Sequence, residues 1–572
     1  MPHLLVAPIL LPMLTAAIML LFGERATNSK GWLGVFSNLI GLLIAVMLLM
    51  WVKQGSGTAA VGVYLPGNWQ VPFGIVLTAD RLTTIMLLMT SVIALSAMLF
   101  ARAGWDKAGV YFHPLFQIQL MGVNGAFLTS DLFNLFVFFE IMLTASYGLL
   151  LHGTGWKRVR SGLHYVGLNL VASLFFLLGA AVLFGVTGTL NMADMAAKVP
   201  LVPEHNRGLL HAGATLLAMA FLAKAAIFPL NFWLPSTYSA ASPPVAALFT
   251  VMTKVGLYAI LRLWTLLFPP NATGSEMFGS DVLIWLGLIT LGIASIGLLA
   301  SQNLGRLAGF SVLVSSGTLL AAFGFGWATL TGGALYYMMS STLALCALFL
   351  VTDLVARARE EEEKVPRYYP EEDSLPFPID NLNTFTPDTN LDEDELPLFG
   401  RAIPASLAVL GIAFIMCALL IAGLPPLSGF IGKFAMLTTV LNPAGMGFMG
   451  ISVRPAAWVL LALLIISGLF ATIAYSRAGI RFFWAPQSRP APVLKVVEVL
   501  PILFLLVLCV ALVVRAGPVL RFTEIAASNL HLPQTYIDAV MHTQIRLGPT
   551  SQAIAAPIPT PAASQPNEGA SQ

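Results

Sequence analysis

Residues 221–262 read FLAKAAIFPLNFWLPSTYSAASPPVAALFTVMTKVGLYAILR. One apolar run holds Lys224, a second holds Lys254, and Pro229, Pro235 and Pro243–Pro244 stand between them. Proline lacks an amide donor and its ring clashes with the preceding turn, so a helix entering this stretch must unwind there. Unwound backbone at membrane depth is tolerated only inside protein or along a hydrated cavity. A charge at a helix centre costs about 2.5–3.5 kcal/mol on insertion scales, so both lysines should face the interior of a bundle. Residues 421–434, IAGLPPLSGFIGKF, repeat the pattern: Pro425, Pro426 and Gly429 precede Lys433. The two breaks are separated by about five apolar spans. Broken spans at corresponding positions of two halves predict a transporter of two inverted five-helix repeats, with its site at the midplane.

The rest of the chain fits that frame. Of 572 residues, 57% are hydrophobic and 10% charged, against roughly 25% charged in soluble domains. Apolar blocks long enough to cross a hydrocarbon core recur throughout. They predict an all-α integral membrane protein of about fourteen transmembrane helices, the seventh and twelfth broken. Residues 1–110 should hold three N-terminal spans, 111–268 the first repeat and 269–484 the second. A further span and an amphipathic segment should fill 485–545. Leu4–Phe22 lacks a basic leader and reads as a permanent first span. Residues 356–400 are acidic and proline-rich, which predicts an irregular cytoplasmic loop, either a solvated insertion or a docking surface. Residues 546–572 are of low complexity and read as a disordered tail. With both termini outside, most of the 29 basic residues fall on inside connections, as orientation by positive charge requires.

Composition also excludes. Cys346, Cys417 and Cys509 are isolated in apolar segments, which offers no iron–sulfur or disulfide framework and implies no cofactor. A net charge of +2 gives no reason to expect nucleic acid. No metal cluster or nucleophile triad emerges, so a membrane enzyme is disfavoured.

Four ionisable residues lie deep in predicted spans: Glu140, Lys224, Lys254 and Lys433. In a soluble protein they would read as pairs kept for packing specificity; in a bilayer they point to an ion or proton pathway. Thr250 and Tyr258 flank Lys254 at helical spacing, and Thr144 does the same for Glu140. His164, one turn into the sixth span, reads either as a proton loader or as an interfacial hydrogen-bonding group.

At these residues the chain resembles a known family. SDLFNLFVFFEIMLTASYGLL (130–150), the 221–262 stretch and LLIAGLPPLSGFIGKF (419–434) are similar to the antiporter-like subunits shared by Mrp-type sodium/proton antiporters and respiratory complex I. The resemblance covers roughly residues 78–484. It implies fourteen helices with two inverted repeats. The form WLPSTYSAASPP, without the Asp and His usual in complex I relatives, and a lysine at position 433 fit the Mrp D type. The resemblance further implies that Glu140 and Lys224 form the charge pair of one half-channel, that Lys254 is a central relay and that Lys433 is an exit group. Partners would be other subunits of a hetero-oligomeric antiporter in a bacterial inner membrane, with protons and a monovalent cation as the transported species. The tenth span lacks the His or Gln that many relatives carry, so Ser311, Ser315, Ser316 and water would have to serve. Two alternatives stand beside this: a proton-pumping subunit of a complex I-like or hydrogenase complex, and a non-transporting scaffold. A cation site is not visible in the sequence. Glu140 is the one central carboxylate, and the cation could cross in a partner subunit.

Overall fold

The computed structural model describes residues 2–23, 26–364, 404–442, 453–484 and 494–543. In chain order its helices begin with α1 (Ala7–Leu21), α2 (Thr27–Gln54), α3 (Arg81–Ala101), α4 (Phe112–Leu128), α5 (Leu132–Leu151) and α6 (Trp156–Thr187). Next come α7 (Met192–Lys198), α8 (Glu204–Lys224), α9 (Trp233–Ala240), α10 (Pro243–Leu267), α11 (Ser280–Ala300), α12 (Leu304–Gly324) and α13 (Ala328–Lys364). The last are α14 (Ala405–Ala422), α15 (Ser428–Leu441), α16 (Pro455–Gly479), α17 (Val496–Val514), α18 (Ala516–His531) and α19 (Gln534–Met541). A short hairpin, β1 (Gly62–Tyr64) antiparallel to β2 (Leu77–Ala79), joins α2 to α3.

Eleven described helices are long and apolar enough to cross a membrane, and the chain is an all-α multi-pass membrane protein. That measure gives fewer spans than the fourteen expected. α1 and α15 are apolar but shorter. α4 carries His113, Gln117, Gln119 and Asn124, and α8 opens on Glu204, His205, Asn206 and Arg207, so polar side chains dilute both.

Both predicted breaks are present. α8 ends at Lys224 and the helix resumes as α9 at Trp233, with Pro229 in the gap. α14 ends at Ala422 and α15 begins at Ser428, with Pro425 and Pro426 between. Pro235 lies in the first turn of α9, where a missing amide leaves no helical bond unmade. One boundary differs from expectation. α13 continues to Lys364, so the first residues assigned to the acidic loop are helical. Ala, Arg, Glu and Lys are strong helix formers, and the apolar span simply extends through them. The remainder of that loop and the 546–572 tail lie outside the described residues.

The centre of the molecule is α10, whose apolar stretch is wholly buried and packs against α12 and α13. α8 ends against it. A Cβ on Gly256 would come within 2.9 Å of Ala225 N and Phe221 O, so the glycine lets the first break abut α10 two residues from Lys254.

Candidate functional site

Lys224, Lys254 and Lys433 are all buried, and Glu140 is half-buried. Lys224 is the last residue of α8, where unpaired carbonyls and the negative end of the helix dipole favour a cation. The chain then turns away through Ala226 at φ 55°. The Lys224 ammonium stands 5.1 Å from the centre of the Phe139 ring. It has no hydrogen-bond partner among the described residues. Glu140, the neighbour of Phe139 on α5, instead accepts from Ser173 Oγ of α6. The expected Glu140–Lys224 pair is therefore not a contact ion pair among the described residues. What the ammonium meets is the ring of Phe139, the residue before Glu140 on α5.

Lys254, in the middle of α10, donates to Ser315 Oγ of α12 at 3.0 Å. Ser315 in turn bonds Ser341 of α13 at 3.0 Å. The preceding residue, Ser340, bonds Ser428 at the start of α15 at 2.8 Å. Lys433 lies five residues further along α15 and donates to Ala422 O, at the end of α14, at 2.8 Å. Hydroxyl groups thus stand in the two helices that separate the central lysine from the second break. A hydroxyl is both donor and acceptor and can rotate to suit either role.

Other predicted residues are placed differently. Thr250 Oγ1 donates to Ala247 O of its own helix. Tyr258 OH donates to Phe127 O at 2.7 Å. Neither is bonded to Lys254, although both lie one turn from it. Ser316 Oγ is buried without a partner among the described residues. Ser311 bonds Tyr475 OH at 2.7 Å and Leu307 O, which commits it to packing between α12 and α16. His164 is exposed on α6, with Nδ1 2.9 Å from Arg160 O.

The sequence reading missed Ser340, Ser341, Ser428 and a buried ion pair. Arg262, at the far end of α10, holds Asp80 through Nη1–Oδ2 at 2.6 Å and Nη2–Oδ1 at 2.7 Å. Such paired parallel bonds fix a guanidinium in orientation as well as charge. The rings of Tyr258 and Tyr536 lie 5.6 and 5.1 Å from the guanidinium, and Tyr536 OH bonds Ser130 and Thr78. Lys254, Tyr258 and Arg262 recur every four residues, so this network continues the polar stripe of α10.

Comparison with known proteins matches residues 129–370 to the family described as NADH:quinone oxidoreductase/Mrp antiporter, TM. The chain is 47% identical over 541 residues to a protein of Rhizobium meliloti named as the D-type subunit of a probable K(+)/H(+) antiporter, covering 94% of this chain and 97% of that one. It is 31% identical to the D-type subunit of the Na(+)/H(+) antiporter of Alkalihalophilus pseudofirmus, covering 95% and 100%. The fold matches a chain of the Mrp complex from Dietzia sp. with a TM-score of 0.75 at 23% identity, covering 95% of this chain and 100% of that one. It also matches a chain of respiratory complex I from Thermus thermophilus with a TM-score of 0.70 at 22% identity, covering 92% and 99%.

Proposed function

Because the chain belongs to the family of Mrp-type monovalent cation/proton antiporter subunits of the D type, homologous to the antiporter-like subunits of respiratory complex I, we propose that it translocates protons along a row of buried amines within a multisubunit Na+/H+ or K+/H+ antiporter. The observation that carries this reading is the run of donors from Lys254 through Ser315 to Ser341, and from Ser340 through Ser428 toward Lys433. Three ammonium groups in a membrane interior are costly. Here each stands where a proton could be taken up or released.

In this reading Lys224 receives a proton near the first break, with Glu140 setting its affinity by proximity. Lys254 and the hydroxyls pass it inward, and Lys433 releases it at the second break. Rotation of Ser315 and Ser341 would re-form each donor bond after transfer. The chain would sit in a bacterial inner membrane with both termini outside, as the distribution of basic residues favours. It would work with the other antiporter subunits.

The test is cation-induced proton flux in inverted vesicles, comparing the intact complex with Lys224→Ala confirmed to assemble. Loss of flux supports the relay, and the cation that drives flux in the unaltered complex names the substrate. Retained flux in the variant refutes the relay. The likeness to complex I favours a second reading, a redox-driven pump. Proton flux driven by cation gradients without any reductant separates the two.

A further inference from the structure

A second polar feature lies among α1–α4, away from the lysine row, and begins with Pro12. Having no amide hydrogen, Pro12 leaves the carbonyl of Pro8, four residues back in α1, without its helical donor. Asn124 of α4 fills the gap, with Nδ2 2.9 Å from Pro8 O. Two turns earlier on α4, Gln117 Nε2 donates to Asn38 Oδ1 at 3.0 Å. Asn38 Nδ2 is itself committed to Ala94 O. Backbone carbonyls accept only, so these bonds fix the orientation of all three amides. What remains unpaired is oxygen: Gln117 Oε1 and Asn124 Oδ1 are buried with no partner among the described residues. Both side chains line a cavity of about 20 Å³ enclosed by α1, α2, α3 and α4, room for about one water-sized particle. Thr90 and Ser91 also line it. Their hydroxyl hydrogens are committed to Met86 O and Leu87 O, so they too face the cavity with lone pairs.

Gln117 and Asn124 are seven residues apart, about 10 Å along the helix axis, so the oxygens form a short column rather than one shell. One turn before Gln117 stands His113, with Nε2 3.5 Å from Asp106 Oδ2. Neither His113 nitrogen nor Asp106 Oδ1 has a hydrogen-bond partner among the described residues. This end of α4 adjoins Arg102 and Lys107, on the face expected to be inside. Unpaired oxygens in a membrane interior cost about 1–3 kcal/mol each, which calls for something that binds lone pairs. Hard cations take oxygen ligands, and divalent ions take them from carboxylates. Neutral oxygens with no carboxylate among them suit a single monovalent ion, held weakly enough to leave as conduction requires.

We propose that α1–α4 hold a binding column for a monovalent alkali cation, in which Gln117 Oε1 and Asn124 Oδ1 replace part of the ion's water. This rests on reading the chain as an antiporter subunit, and it states where within the chain the cation travels. The test uses the intact complex in lipid nanodiscs, with binding of radioactive sodium and rubidium measured beside the cation dependence of antiport in vesicles. Gln117→Leu and Asn124→Leu are expected to raise the half-saturating cation concentration about tenfold each, the loss of one buried oxygen contact. The nearly isosteric Gln117→Glu and Asn124→Asp add charge and should tighten binding about fivefold, which keeps the test alive if the leucine variants do not assemble. Unchanged binding and half-saturation in the acidic variants would overturn the proposal and leave a column of water only. Lys224→Ala should bind the cation normally while losing antiport. Should it retain antiport, the relay fails while the binding result stands.

Discussion

The two broken helices place an ammonium at the same kind of location by opposite means. At the first break the lysine belongs to the leading half-helix: Lys224 closes α8 and touches a ring, with no hydrogen-bond acceptor among the described residues. At the second break it belongs to the trailing half-helix: Lys433 of α15 reaches back to the final carbonyl of α14. Both ammoniums sit at a helix C-terminus, where the dipole favours them. One is tethered and the other is free to change partner. In the proposed relay, a loose end that responds to Glu140 and a fixed end that holds its geometry would give proton transfer a preferred order.

The severest way to break this comparison is to remove a tethered amine. Lys433→Ala should lower cation-driven proton flux about a hundredfold, the scale of a lost proton-transfer group; flux near that of the unaltered complex would show the second break to be passive. A smaller insult acts on the tether. Gly423 has φ 77°, and a Cβ there would meet Lys433 Cδ at 2.7 Å. Gly423→Ala should therefore displace the ammonium from Ala422 O and reduce flux about tenfold, besides costing about 1–2 kcal/mol in backbone strain. The matching change at the first break has the opposite sign. Ala226 occupies a left-handed conformation, φ 55°, and Ala226→Gly should leave flux intact and raise thermal stability slightly, by about 1 kcal/mol.

Between the breaks, Ser315→Ala would take from Lys254 its hydroxyl acceptor and should slow flux by about tenfold. Ser311→Ala, one turn away on the same helix, should cost about 1 kcal/mol in stability through Tyr475 and leave flux unchanged. Equal effects of the two on flux would deny Ser315 any special place. The mildest change is Phe139→Leu. A ring–ammonium contact in a desolvated site is worth about 2 kcal/mol or more, and it is partly replaced by other apolar contact, so a severalfold fall in proton flux with unchanged cation half-saturation is expected.

The contrast also explains what the sequence could and could not reveal. The breaks were legible because proline acts locally: Pro229, Pro425 and Pro426 forbid helix wherever the remainder of the chain goes. The lysines were legible because a charge in an apolar run is costly regardless of its partner. Partners were not legible. Ser340 and Ser428 are 88 residues apart, and nothing near either marks the bond. Asp80 and Arg262, 182 residues apart, each had a sufficient local account. Asp80 caps α3 through Thr83 N, and Arg262 stands near the end of an apolar helix, where a basic residue is ordinary. Spacing placed Thr250 and Tyr258 on the face of Lys254 but left their bonds unread, because a shared helical face says which way a hydroxyl points but not which acceptor takes its hydrogen. The membrane oxygens of Gln117 and Asn124 were invisible for the same reason, since their significance lies in the bonds their amide nitrogens make elsewhere.

Tyr536 carries one more consequence. Its hydroxyl meets Thr78, 458 residues earlier, and its ring covers the Arg262 guanidinium. Synthesis runs from the N-terminus, so every described span is made before α19 exists. The end of the molecule that holds the Asp80–Arg262 pair therefore closes over it only once that late segment has been made. A product cut short before α19 would carry all these spans and still lack the ring that covers the Asp80–Arg262 pair.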